Sequence, residues 1–348
     1  MKNTILKTTI LATISLLLFS CTKEEIKVNL PTLTTATLTN ITPNSASLDV
    51  TISNDGGANI NARGICWSTS PTPTVSLSTK TVDGTGTGTF TSQVINLTPG
   101  TTYYIRAYAT NNTGTSYSVE ISFTTLDITT GLVAYYPFNG NANDESGNGH
   151  NGTINGATLT ADKSGNLSKA YNFNGTSSYI STNFVPQTLN QSRTISLYFN
   201  ADDTNMPNEG YSIISYGANS SDCTQGGGRF EMGIYYNPTI SNKSIRLDGV
   251  CTAVYAQSTY TSGWHHFVAT YNNSNTLFSN TKIYFDGILI PVSYYQPNTA
   301  INTLNFTNFT IGKSPSSPTG RFYKGTIDEI KIYNRALNDS EVKYLATH

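Results

Sequence analysis

Apolar and polar side chains alternate in short runs along most of the chain. In Ala46-Ser47-Leu48-Asp49-Val50-Thr51-Ile52 every second residue falls on one apolar face; Ile65 with Trp67, and Tyr103 with Ile105 and Ala107, repeat the pattern. A two-residue period is that of a strand with one buried side. From Pro31 to about Thr125 such runs are parted by turn clusters about every 8–12 residues, the spacing of a small sandwich. From Gly131 onward the runs lengthen. Asp286-Gly287 between two apolar runs predicts a tight hairpin, and Val268, Tyr284 and Ile330 lie in strand patterns that two packed sheets could bury. One helix is expected. Asn338 with Glu341 three residues later makes a capping box, and Val342 and Leu345 would seat that helix against the sandwich. The N-terminus departs from all this: after Lys2 and Lys7, Ile10 to Phe19 is an almost unbroken apolar run. It is shorter than the roughly 20 apolar residues that span a bilayer and suits the apolar region of a secretory signal.

Composition narrows the picture. Charged residues make up only 12%, about half the usual ~25%, and Thr, Ser, Asn, Gly and Tyr take their place. Without residues 1–20 the chain carries 18 basic and 21 acidic residues, a net charge of −3. That balance argues against a nucleic-acid partner, which wants a basic face. The four cysteines, Cys21, Cys66, Cys223 and Cys251, form no CxxC or Cys/His cluster of the kind that holds zinc. In an oxidising exterior Cys223 and Cys251 can pair, and a disulfide between them is expected. Whether Cys66 is free stays open at this level.

Leu18-Phe19-Ser20-Cys21 resembles the lipobox of bacterial lipoproteins. The resemblance implies a signal peptide over residues 1–20, a lipid on Cys21 and a polar tether over residues 21–30. Thr22-Lys23-Glu24-Glu25 resembles the surface-export signal of lipoproteins in the Bacteroidetes group. The implied location is the outer membrane, exposed at the cell surface, with the lipid as the only membrane contact. The segment INLTPGTTYYIRAYATNNTGTSYS resembles the fibronectin type III domain, with Leu97, Pro99-Gly100 and Tyr103 at its turn and corner tyrosine; this implies such a domain over residues 31–126. The later segments GLVAYYPFNGNANDESGNGHNGTINGA, KAYNFNGTSSYIST, GWHHFVATYNN, TKIYFDGILI, FTIGKSP and GTIDEIKIYNRALNDSEVKYL resemble the laminin-G-like, concanavalin A-like jelly-roll family over residues 131–348. The expected fold class is therefore all-β: an Ig-like sandwich followed by a larger concanavalin A-like sandwich.

The loop Phe138 to Gly152 is crowded with the oxygen-bearing side chains that calcium prefers. Laminin-G-like relatives hold calcium between this loop and the last long strand. The resemblance implies a structural calcium ion at Asp144 and Asp328, with Asn148 a further match. Glycoside hydrolysis needs two carboxylates facing one sugar bond. No E-x-D-x-x-E run occurs, Glu231 stands isolated, Asp286 belongs to its turn, and adjacent Asp328 and Glu329 should face opposite ways; the expectation is that the protein is not an enzyme. His265 and His266 should likewise face apart and serve no common centre. Gly226-Gly227-Gly228 is followed by no helix and implies no phosphate cradle. Carbohydrate binding draws on aromatic faces and amides. The chain has 22 tyrosines, and in Tyr235-Tyr236 and Tyr294-Tyr295 one of each pair should face outward. No ligand residue follows from sequence. The expected function is a non-catalytic cell-surface lipoprotein binding a glycan or a glycosylated or protein partner. An envelope-assembly role comes next, and a glycoside hydrolase last.

Overall fold

A computed structural model describes residues 27–204, 206–208, 210–217, 228–237, 242–249, 252–256, 261–274, 277–295, 301, 303, 307–315 and 321–348. Cys21 and the expected Cys223–Cys251 pair lie outside the described residues. The described residues are nearly all-β, with two sandwiches, one short α-helix and a 3-10 turn at Phe278–Asn280. The described residues divide into two compact units, 27–39, 47–94 and 103–123 in one and 40–46, 95–102 and those from 124 onward in the other.

The first unit is built from β1 (Thr32–Thr39), β2 (Ala46–Asn54), β3 (Ala62–Ser68), β4 (Gly88–Val94), β5 (Thr102–Asn111), β6 (Gly114–Tyr117) and β7 (Ile121–Thr124). They form two small sheets, β1-β2-β4 and β3-β5-β6, with β7 also paired to β5. The alternating residues do what their period predicts: Leu48, Val50, Ile52, Ile65, Ile105 and Ala107 are fully buried. Tyr103 stacks on Phe123 with ring centroids 6.0 Å apart. Cys66 is a buried free thiol, and burial pushes its pKa up to about 11.

The second unit contains β8 (Leu132–Tyr136), β9 (Thr153–Asn155), β10 (Thr158–Thr160), β11 (Ala170–Asn174), β12 (Tyr179–Ser181), β13 (Arg193–Ala201), β14 (Tyr211–Gly217) and β15 (Arg229–Asn237). These are followed by β16 (Asn242–Asp248), β17 (Ala253–Ala256), β18 (His265–Tyr271), β19 (Thr281–Phe285), β20 (Ile288–Leu289), β21 (Val292–Tyr295), β22 (Thr310–Ile311) and β23 (Lys324–Tyr333). Helix α1 (Asp339–Leu345) closes the chain. A back sheet runs β10-β11-β23-β13-β18-β19-β20, with β8 on β23, and a front sheet runs β21-β17-β16-β15-β14-β22-β12-β9. Ile195, Leu197, Phe199, Phe267 and Ile330 from the back sheet meet Ile214, Tyr216, Phe230, Met232 and Leu247 from the front sheet in one core. Each such side chain contributes about 1.5–3 kcal/mol when removed from water.

Three local features shape what the two sheets present outward. The β19–β20 turn at Asp286-Gly287 has both residues at positive φ, 50° and 77°, as a two-residue hairpin of this hand requires. The Asp286 carboxylate accepts from the His266 backbone N–H at 2.8 Å and meets His265 Nδ1 at 2.9 Å. Helix α1 starts with the full capping box of Asn338 and Glu341. Its Val342 and Leu345 pack with Val268, Tyr284 and Tyr333. Val268 and Tyr284 are thus buried beneath the helix and not between the sheets, because on their strands Phe267, Ala269 and Ile283 already face inward. A bulge in β23 gives the third feature. Glu329 has φ 51°, and the register against β13 slips between Ser196 and Tyr198. Ile327 and Ile330 both stay in the core, so Asp328 and Glu329 both face outward instead of opposite ways.

Candidate functional site

The outer face of the front sheet carries the densest chemistry. On β15, Phe230, Met232 and Ile234 point into the core, which turns Arg229, Glu231, Gly233 and Tyr235 outward. Cross-strand partners share a face, so the ladder carries this outward set across the sheet. Glu231 pairs with Asp248 and Gly233 with Arg246 on β16. Arg246 and Asp248 pair in turn with Tyr255 and Ala253 on β17, and these pair with Ser293 and Tyr295 on β21. A side chain at 233 is excluded, since its Cβ would lie 2.4 Å from the Tyr211 carbonyl oxygen. The β14 backbone thus closes over position 233, and no side chain stands there opposite Arg246.

Two carboxylates lie beneath three guanidinium groups. The side chains of Glu231 and Asp248 are only 1% and 4% exposed. Arg321 donates to Glu231 Oε1 at 2.5 Å and reaches to 3.6 Å of Asp248 Oδ2. Ser314 Oγ donates to Glu231 Oε2 at 2.9 Å. Arg246 Nε donates to Asp248 Oδ1. Arg229 Nε lies 3.1 Å from Glu231 Oε2 but at an angle that makes no hydrogen bond. Burial raises the Asp248 carboxyl above its usual range; Arg246 works against that and neighbouring Glu231 adds to it.

Aromatic rings complete the face. The Arg246 guanidinium carbon lies 5.3 Å from the ring centre of Tyr235 and 5.0 Å from that of Tyr255. These two rings meet edge to face at 5.8 Å. Tyr295, from the third strand, is 56% exposed. Of the two tyrosine doublets, Tyr235 faces outward while Tyr236 packs on the core, and Tyr295 shares the outward face with Asp248 through Ala253. Flat rings beside fixed donors can cover the C–H patches of a sugar and read its polar groups.

The residues expected to hold calcium sit on the back-sheet side. Asp144 folds into its own loop: Oδ1 accepts from the backbone N–H of Tyr135 and Ser146, and Oδ2 from that of His150, all at 2.9 Å. Burial opposes its charge, but these donors outweigh it and keep the carboxyl below its usual value. Asn148 donates through Nδ2 to the carbonyls of Leu132 and Val133. Asp328, at the β23 bulge, is 4% exposed and accepts the Glu329 N–H at 2.8 Å; burial pushes its pKa up to about 7. Among the described residues no three His, Cys, Asp or Glu side chains come together to hold a metal ion. The Asp144 oxygens face N–H donors here, so no chemistry is routed through calcium. His265 packs on Phe285 and His266 bonds Ser196 Oγ at 2.8 Å on the opposite face.

Residues 174–343 match the family described as the concanavalin A-like lectin/glucanases superfamily, and this stretch is a domain of that kind. No curated protein matches the chain. Among solved structures it is similar to domain 4 of an extracellular GH43 arabinanase from Geobacillus stearothermophilus in complex with arabinotriose: 22% identity, TM-score 0.43, covering 62% of this chain and 98% of that one. A sialidase from Trypanosoma rangeli is similar at 14% identity and TM-score 0.45, covering 89% of this chain and 52% of that one. A botulinum neurotoxin type C structure, titled for cell entry dependent on two ganglioside molecules, is similar at 16% identity and TM-score 0.44, covering 63% and 51%. The chain thus spans about half the length of the sialidase and neurotoxin chains.

The expectation that the protein is not an enzyme is corrected. It rested on the lack of two carboxylates at strand spacing, with Glu231 standing alone. The front sheet supplies Glu231 with a carboxylate neighbour, Asp248, across two strands, and the matched family joins glucanases to lectins. Pairing between strands assembled what spacing along one strand did not show. Arg229, Arg246 and Arg321 were missed for the same reason. The sequence signal for Arg229 and Arg246 was the alternation of apolar with non-apolar residues from Arg229 to Ile234 and from Ile245 to Asp248; Arg321 lies in no such run.

Proposed function

We propose that this protein captures a glycan on the outer face of its front sheet, at the cell surface. The observation that carries the reading is the grouping of Tyr235 and Tyr255 around Arg246, with the exposed Tyr295 on the same face two strands beyond it. The concanavalin A-like lectin/glucanase family supports it. The N-terminal sequence supports an outer-membrane lipoprotein anchored at Cys21, with the tether over residues 21–30. The Leu97, Pro99-Gly100 and Tyr103 motif supports a fibronectin type III-like spacer over residues 31–126, and the larger domain is proposed over residues 131–348. A disulfide between Cys223 and Cys251 and calcium at Asp144, Asn148 and Asp328 belong to the same proposal.

The test is binding of the purified protein to a panel of neutral and acidic polysaccharides, alongside Tyr295→Ala. Loss of glycan binding in that exposed-residue variant supports the site. A protein that binds no glycan but pulls down another envelope protein would replace the reading with an assembly role. A second reading, glycoside hydrolysis, is favoured by the Glu231–Asp248 pair, in which the raised Asp248 carboxyl has the character of a general acid. Arg321 covers both carboxylates, so hydrolysis would require it to swing aside. Reducing-sugar release abolished by Asp248→Asn would establish that reading.

A further inference from the structure

We infer that the ligand taken by the front-sheet face is an anionic glycan, bound through its carboxylate or sulfate groups; this rests on the glycan reading above. Three of the chain's seven arginines converge on this one patch of a chain whose net charge is −1. They face two carboxylates, so among the described residues the patch is cationic even with both carboxylates charged. Raising of the Asp248 carboxyl adds to the imbalance.

The hydrogen-bond account points the same way. Glu231 takes Arg321 and Ser314, and Asp248 takes Arg246 through Nε. These bonds hold the Arg321 and Arg246 guanidinium groups in place, and the Nε bond of Arg246 leaves the rest of its fork unused among the described residues. Beyond its Nε bond, Arg246 makes only face contacts with Tyr235 and Tyr255 among the described residues. Arg229 makes an ion pair with Glu231 and no hydrogen bond among the described residues. Its side chain is only 11% exposed. A guanidinium carries five N–H donors in a planar fork that fits a carboxylate or sulfate with two parallel bonds. Leaving such donors unmet in a nearly buried cation is costly, and an anion laid on this face beside Arg246 and Arg229 would meet them. The buried carboxylates beneath act as fixed counter-charges that hold the forks in register, so little ordering remains to be done on binding.

The rings match the rest of such a ligand. Tyr295 is the exposed platform for a sugar ring, while Tyr235 and Tyr255 keep the Arg246 fork flat and desolvated. A neutral sugar would use the platform and leave the arginine forks unpaired.

The experiment measures binding of the purified full chain to polygalacturonate, to the same polymer with its carboxyl groups reduced, to dextran sulfate and to dextran. The expected result is at least about tenfold tighter binding to polygalacturonate or dextran sulfate than to the neutral polymers, weakening steeply from about 50 to 500 mM NaCl. Whichever of the two acidic polymers is preferred assigns carboxylate or sulfate. Arg246→Gln should lose about tenfold on the acidic polymer, and Arg246→Lys, which keeps the charge but not the fork, should lose nearly as much. Tyr295→Ala, on an exposed residue, weakens binding with no fold at stake. Equal binding to neutral and acidic polymers, lost in Tyr295→Ala, would overturn the anionic inference and leave the glycan reading standing. Binding to none of the four overturns both.

Discussion

Asp328 makes the protein's stability depend on pH in a direction that one substitution can test. Its carboxyl is 4% exposed and accepts one backbone N–H. Lys331, whose charge acts on Asp328, is bonded to Glu329 instead. Burial pushes its pKa from 3.8 to about 7, with Glu329 and Asp162 adding repulsion and Lys331 relieving part of it. Between these two values the folded chain holds a proton that the unfolded chain has released, so stability falls as pH rises from about 4 to 7. At ~1.4 kcal/mol per pH unit the loss is on the order of 4 kcal/mol above pH 7. Asp328→Asn keeps the acceptor for the Glu329 N–H and removes the charge. The variant should match the parent near pH 4 and exceed it at pH 8 by a few kcal/mol, about 10 °C in melting temperature for a unit of this size. The chain has two tryptophans, so Trp264 fluorescence in a Trp67→Phe background reads the larger unit alone. The measurement is made with a chelator present. A variant no more stable than the parent at pH 8, or a gap that does not change with pH, would refute the reasoning. Added calcium should restore the parent at pH 8, and leave the variant unchanged, where Asp328 ligates the ion; no calcium response would sink that proposal.

Other expectations follow from the same geometry. Glu231→Gln removes the charge that faces two arginines in the front sheet and should cost about 3 kcal/mol, measured by urea denaturation; a neutral result would mean that the network is solvated. Asn338→Ala removes the α1 cap and should cost about 1 kcal/mol, whereas Asn338→Asp should be nearly silent. Arg193 is fully buried and bonds Tyr216 Oη at 3.0 Å, Thr303 Oγ1 at 2.9 Å and the carbonyls of Gln191 and Leu189 at 2.9 and 2.7 Å. Arg193→Lys cannot meet them all, so the melting temperature should fall by several degrees despite the conserved charge. The Cys66 thiol, raised to about 11, should resist iodoacetamide at pH 8 in the native chain and react once the small sandwich unfolds; rapid native labelling would contradict its burial.

Much of the fold was legible because it depends on local rules. The alternation from Ala46 to Ile52, the Asp286-Gly287 turn and the Asn338–Glu341 box each express one short-range preference, and each element forms where its residues call for it. The candidate site was not legible because it depends on register. Glu231 and Asp248 become neighbours only once β15 and β16 pair at one offset, and a slip of one residue would bury both in the core. Tyr235 and Tyr236 are indistinguishable until the ladder fixes which of them faces inward. The β23 bulge shows the limit of alternation itself, since one residue at positive φ turned Asp328 and Glu329 to the same side.

The seating of α1 on Val268, Tyr284 and Tyr333 has a practical side. The helix covers the back sheet, and its last residues lie on the opposite surface of this domain from the tyrosines and arginines of the front sheet. A chain captured on a sensor chip by a tag after His348 would therefore present the front-sheet face to the flow, with the attachment chemistry behind it.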